Sequence, residues 1–330
     1  MKLALSSKRF GLLILATAGL TAAELSPECG AAYRPAVALL AGEQNEEAAK
    51  QLSQFASRLG SSDSDKVCKA FALNSLAIAY ERLGNLDGAQ DAAKESVSLF
   101  EETLGPDTPS LRPPLLLLAQ VATAKEQFAK ADKLLSRVEQ LPGATHSHLA
   151  IARGLRASLL VQEKEYTEAE AEYRQSIAER ELAGRGSSLD IAPELCNLAN
   201  LYISEHRASE ALPLLERTLR IAESAPFDAN TRAQALLGLA LAHSTNKNQE
   251  EQAEGYFRKA VDLIDRVPGV VRAQMGRTIY LHYAAFLKGC GRKREAKVVV
   301  AEANTLFGPD SSGMLVSVDS LLQQHKQKQP

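Results

Sequence analysis

The sequence predicts an all-α chain, a right-handed superhelical α-solenoid of about six helix pairs with a degenerate capping pair at its N-terminal end. Three observations predict it. Alanine returns at 49, 89, 131, 169, 211, 253 and 296, in steps of 38 to 43 residues. About a dozen residues before each comes another small residue: Ala77, Ala119, Ala157, Ala199, Ala240 and Ala284, with Val37 in the weak first copy. A fixed period of this size is the mark of a repeat array. Inside each period apolar residues recur at spacings of three and four, as in Leu198, Leu201 and Tyr202 and again in Leu212, Leu215 and Leu219, which is a helical pattern on both sides of a turn.

The first element is a leader. Lys2, Lys8 and Arg9 form a basic start, Phe10 to Leu20 is an uncharged and mostly apolar run, and Thr21, Ala22 and Ala23 are small. That three-part layout predicts a secretory signal peptide over residues 1–23, cut after Ala23 or, as the alternative, after Ala18. The apolar run is well short of the ~20 residues that a membrane-spanning helix needs, so no stable membrane insertion is expected after cleavage. Glu28 before Cys29 is the wrong residue for a bacterial lipid-attachment motif, which wants small residues there. Removing residues 1–23 takes away three basic residues and no acidic ones, moving the formal charge from −2 to −5. An acidic chain argues against a nucleic-acid partner.

The repeat array is expected over residues 24–306. Breakers separate its paired helices: Gly84-Asn85, Glu205-His206, Asn246-Lys247-Asn248 and Gly289-Cys290-Gly291. Helices of 12 to 16 residues are marginal alone (about that length is the threshold in water), so stacking must stabilise them. The recurring alanines explain how. A bulky side chain at either small position would push neighbouring helix axes beyond the usual ~8–10 Å. Composition agrees: 45% hydrophobic residues but only 5% aromatic and no tryptophan leave alanine and leucine to build the core. The first copy, around Ala49, carries Pro35 in its first helix and is read as a cap. The copy at 169 has Arg156 where an apolar residue belongs, and the copy at 253 has one extra residue in its turn. Residues 307–330 are expected to be a tail, with the polar end "QQHKQKQP" disordered.

The stretches "SLAIAYERLGNLDGAQDAAKESV" and "NLANLYISEHRASEALPLLERTL" resemble tetratricopeptide repeats: Leu-Ala, a tyrosine three residues on, a turn, then alanine. The period near 42 and the linker "LGPDTPSL" resemble the kinesin-light-chain type, which is common in bacterial proteins. The resemblance covers residues 30–306, and the repeats around 89, 211 and 296 match it best.

No constellation for chemistry emerges. The motifs HExxH, GxSxG, a phosphate-cradling glycine loop and paired CxxC do not occur. His146 and His148 could share a metal, but nothing nearby in sequence adds ligands. The expectation is a chain that is not an enzyme and needs no cofactor and no metal. Cys29 and Cys68 lie one repeat apart, 39 residues, and could pair if both sit at helix starts and lean together; two buried thiols are the alternative. Cys196 and Cys290 are more than two repeats apart and cannot meet in a regular solenoid.

In a solenoid of this kind the first helix of each pair lines the inner surface. Taking Leu76, Leu118, Arg156, Leu198, Leu239 and Tyr283 as equivalent assigns to that groove Asn74, Arg82, Gln120, Gln162, Asn197, Asn200, Ser204, His282 and Lys288, together with Ile78, Ser158 and Ser244. Asn74 and Asn197 resemble the asparagines of kinesin-light-chain-type repeats, whose amides can bind an extended peptide's backbone; simple solvation of a polar face is the alternative. The chain is therefore expected to be an exported scaffold, periplasmic or extracellular, that binds a protein or peptide partner. The alternative is a structural subunit of an envelope or export assembly, docking through apolar patches on second helices such as Val298, Val299 and Val300.

Overall fold

The computed structural model describes residues 27–308 apart from 43, 225–228 and 268. The expected signal peptide, residues 1–23, and the tail beyond residue 308 lie outside the described residues. Within them there are fourteen α-helices and no strand. They form seven helical hairpins in two compact units, residues up to 186 and from 187 onward.

The first unit holds four pairs: α1 (Pro27–Ala41) with α2 (Asn45–Arg58), α3 (Asp63–Arg82) with α4 (Leu86–Leu104), α5 (Arg112–Ala124) with α6 (Phe128–Gln140), and α7 (His146–Glu163) with α8 (Tyr166–Leu182). Each helix packs on the next in sequence, and each first helix also touches the next first helix. Successive first helices run in the same direction. Along α1, residues 29, 33 and 40 are tied in ascending order to residues 68, 71 and 82 of α3. Contrary to the usual effect of proline, α1 continues through Pro35.

The second unit holds three pairs: α9 (Ala192–Ser204) with α10 (Ala208–Glu223), α11 (Ala229–Ser244) with α12 (Glu250–Leu263), and α13 (Gly269–Gly289) with α14 (Lys293–Phe307). Here too α9 touches α11 and α11 touches α13. The extra residue of the copy at 253 is absorbed by a short 3-10 turn, Lys247–Gln249.

The small positions do what their phase implies. Ala77, Ala157, Ala199, Ala240 and Ala284 are fully buried, and so are Ala89, Ala131, Ala169, Ala211 and Ala253. The second alanine is the fourth residue of its helix in every pair but the first, where it is the fifth. A further small layer lies seven residues later: Ala56, Ser96, Val138, Ser176, Thr218, Ala260 and Ala303 are all buried. Where that layer carries a hydroxyl, the group finds an acceptor, since buried polar groups must. Ser96 donates to Ala70 O at 2.8 Å and Ser176 to Ala150 O at 2.7 Å, each reaching from the second helix to the first helix of its own pair.

The turns inside the pairs share one backbone device. Gly84, Glu126, Lys164, His206 and Gly291, which occupy equivalent places, all have positive φ. Gly84 and Gly291 take that conformation without steric cost, whereas the other three hold it against the usual penalty. Arg156, the misfit of its repeat, is not forced into the apolar seam. It reaches α6, bonding Asp132 at 2.9 Å and Glu139 at 2.6 Å.

A charged knot ties the last pairs. Glu254 on α12 accepts from Arg258 at 2.6 Å, from Tyr283 of α13 at 3.1 Å, and from Arg292 at the start of α14. The hydrogen bond from Arg292 is the main cause that holds the Glu254 carboxyl below the ordinary glutamate value. A depressed carboxylate stabilises the fold above its unfolded pKa and stops doing so as pH falls through its folded one. Glu254→Gln is therefore expected to cost about 1 kcal/mol at neutral pH. The gap between variant and parent in a melting series should close as the pH is taken below that of free glutamate; a constant gap would count against this assignment.

Candidate binding surfaces

Each unit presents its first helices side by side, and the polar residues of those helices are the candidate contacts. In the first unit they are less open than a solvated groove face would be. Asn74 is 6% exposed and Gln120 3%. Gln120 Nε2 donates to Glu81 Oε1 at 3.3 Å, joining α5 to α3, while Asn74 Oδ1 is buried without an acceptor's usual partner. Ile78 is buried outright. Arg82 donates from Nη1 to Leu40 O at 2.7 Å, so part of its guanidinium caps the end of α1. Gln162 is exposed near the end of α7, and Ser158 shares a hydrogen bond of 3.0 Å with the Tyr173 hydroxyl.

The second unit is more accessible. Asn197 and Asn200 are partly exposed on α9 and Ser204 is exposed at its end. They follow one another at spacings of three and four, so they share a face. The other face of α9, with Leu195, Leu198, Leu201 and Tyr202, is buried. Ser204 and Ser244 each turn the hydroxyl back onto a carbonyl of their own helix, at 2.7 Å. His282 and Lys288 are partly exposed on α13.

The expected groove residues thus fall into two sets, Asn74, Arg82, Gln120 and Gln162 in one unit and Asn197, Asn200, Ser204, His282 and Lys288 in the other. The apolar patch on α14 is smaller than its sequence suggests. Val298 is 65% exposed, but Val299 and Val300 pack against the core of their unit.

Sequence reasoning missed one concavity. An open groove of about 380 Å³ lies between α2 and α4 with α3 as its floor. Ala56, Gly88 and Ala92 make room for it, Leu73, Leu76 and Tyr80 form the apolar part, and Lys69 bridges it to Glu95 at 2.7 Å. The only signal in the sequence was the run of small residues, which also serves helix packing.

Two of the cysteines and three of the histidines have roles in the fold. Cys29 and Cys68 are joined as a disulfide with their Cα atoms 6.0 Å apart; Cys196 is buried and Cys290 partly buried. His148 closes a capping box at the start of α7 with Thr145, and burial, then the charge of Arg112, lowers its pKa. His146 bonds Glu179 at 2.6 Å. His243 stacks on Tyr256 with ring centres 5.4 Å apart. Among the described residues no three His, Cys, Asp or Glu side chains gather as a metal site, and no described helix is long and apolar enough to cross a membrane.

Known proteins place this architecture. The sequence pattern of the tetratricopeptide repeat family matches residues 68–139 and 190–266. No curated protein sequence matches the chain. Among solved structures, the apo form of the quorum sensor NprR from B. thuringiensis is similar over 83% of this chain and 74% of its own, with a TM-score of 0.65 at 15% identity. A Rap protein complexed with competence and sporulation factor is similar over 82% of this chain and 75% of its own (TM-score 0.56, 15% identity). BtubC (BKLC) from P. vanneervenii covers 68% of this chain and 88% of its own (TM-score 0.55, 16% identity). At these identities the likeness is one of fold. The repeat match falls in both units, so the chain carries tetratricopeptide repeats over residues 68–139 and 190–266, and the helical pairs around them are built on the same recurring alanines.

Proposed function

We propose that this protein is a non-catalytic interaction scaffold that holds an extended segment of a protein or peptide partner against the first helices of its repeats. The observation that carries this reading is the strip Asn197, Asn200 and Ser204 on α9, polar and at least partly exposed, while Leu195, Leu198, Leu201 and Tyr202 on the other face are buried. An amide offers a donor and an acceptor together, which is what a peptide backbone requires. The fold supports the reading, since a Rap protein of the same architecture has been solved with competence and sporulation factor. The leader-like N-terminus and the Cys29–Cys68 pair support export through the secretory route to the periplasm or the exterior.

The test uses the mature chain as bait on the envelope fraction to obtain a partner. Replacing Asn197 and Asn200 together by alanine is then expected to weaken that complex by about 30-fold, some 2 kcal/mol, with little change in melting temperature. Full affinity in the double variant would remove the α9 strip from the site. Recovery of the bait only from the cytosol, with residues 1–23 intact, would overturn the export reading.

A further inference from the structure

The first helix pair is the thinnest part of its unit. Its large buried side chains are Tyr33, Leu40 and Leu52, with Val37, Leu39 and Phe55 packed only partly buried; the other buried residues of its packing seam are alanines, 36, 48, 49 and 56. The next helix alone buries Val67, Phe71, Leu73, Leu76 and Ile78. Pro35 also removes a backbone donor from the middle of α1. Among the described residues this pair packs against a neighbouring pair on one side only, which makes it the easiest to open.

Three ties fasten α1 to α3 along its length. The Cys29–Cys68 bond lies near the start of α1. The Tyr33 hydroxyl donates to Phe71 O at 3.4 Å and meets Ser75 Oγ. At the far end Arg82 donates to Leu40 O. The two polar ties are exchangeable with water and modest in net effect. The covalent tie is not exchangeable with water, and it closes the start of α1.

We infer that Cys29–Cys68 is a redox latch: the oxidised chain carries a docked first pair, and the dithiol chain carries a first pair that opens while α5 to α8 stay folded. A dithiol reductant would release it by exchange. Its thiolate attacks one sulfur, forming a mixed disulfide and freeing the other cysteine; its second thiol then displaces the remaining cysteine. Two electrons and two protons pass to Cys29 and Cys68, and the reductant becomes a disulfide. Cys29 is 8% exposed and Cys68 2%, so attack needs a transient local fraying at the start of α1, short of release of the pair. The device makes the end of the repeat array sensitive to redox compartment, independently of any partner.

Hydrogen exchange on the full chain tests this, comparing the oxidised protein, the protein reduced with dithiothreitol, and Cys29→Ala/Cys68→Ala. Reduction and the double variant should each speed amide exchange across residues 27–58 by at least about 100-fold, with residues 112–163 unchanged. Equal protection of 27–58 in all three samples would overturn the latch. So would loss of protection throughout 112–163 on reduction, which would make the bond a staple of the whole unit. Two free thiols at these positions in protein purified without reductant would also overturn it.

Discussion

Phe257→Ala is expected to destabilise the second unit by about 3–5 kcal/mol, the largest loss from any single change considered. Phe257 is fully buried on α12. Its ring meets Tyr283 with centres 5.3 Å apart, nearly parallel, and Phe286 at the same distance. Both partners lie on α13, so the ring is the contact between two successive pairs. Leu236, Leu263 and Leu287 belong to the same apolar cluster. Deleting the ring leaves a cavity between α12 and α13, which Glu254 also ties together through Tyr283, so the two helices cannot collapse into it freely. Phe257→Leu keeps most of the volume and should cost less than about 1.5 kcal/mol. Urea unfolding followed by circular dichroism measures both. A loss below about 1 kcal/mol for the alanine variant would mean that this seam is not packed as described.

Arg112→Met is expected to cost about 2–3 kcal/mol by a different mechanism. Arg112, on the first turn of α5, is 4% exposed and has no carboxylate beside it in the way Arg156 does. Its Nη2 donates to Leu141 O at 2.8 Å and to Pro142 O. Those carbonyls end α6, where a helix leaves its last acceptors without internal partners. Burial lowers the guanidinium's pKa, as expected for a cation taken out of water, and the carbonyls are what make that burial tolerable. The second unit repeats the arrangement: Arg277 on α13 donates to Phe307 O at 2.8 Å and to Gly308 O at the end of α14. In both cases an arginine seven residues before the first small position, Ala119 or Ala284, closes the end of the second helix about thirty residues later. Methionine keeps the aliphatic stem and removes the donors, so the loss isolates the clamp. An unfolding midpoint equal to the parent's would show that water replaces the clamp without penalty.

The repeat was legible because its signal is steric. A site that accepts only a methyl group leaves alanine in phase whatever else varies, and Ala89, Ala131, Ala169 and Ala211 are buried without remainder. Helix turns marked by glycine, at 84 and 291, were legible for a similar reason. The turn at His206 was read from its place between two apolar runs, while the equivalent turns at Glu126 and Lys164 carry the same backbone with no residue that announces it. The arginine clamps were not legible, because an arginine near a helix start has many solvent-facing uses and its acceptor lies a whole pair away. Asn74 and Gln120 show the limit for a binding face. Their polarity suggests exposure, but their accessibility is set by neighbouring helices that a one-dimensional pattern does not place, and both are buried. On α9 the same reasoning from Leu198 leads to side chains that are open.

Leucine placed at each phased alanine, one at a time, tests the stacking claim most directly, with leucine at exposed alanines of the same helices as the control. Ala89, Ala131, Ala169, Ala211, Ala253 and Ala296 are buried, whereas Ala129 on α6 and Ala301 on α14 are exposed. Every buried site is expected to lose about 1–3 kcal/mol on substitution, and the two exposed sites to stay within about 0.5 kcal/mol of the parent. Phased variants as stable as the controls would contradict the claim that these hairpins stack through gaps of methyl size.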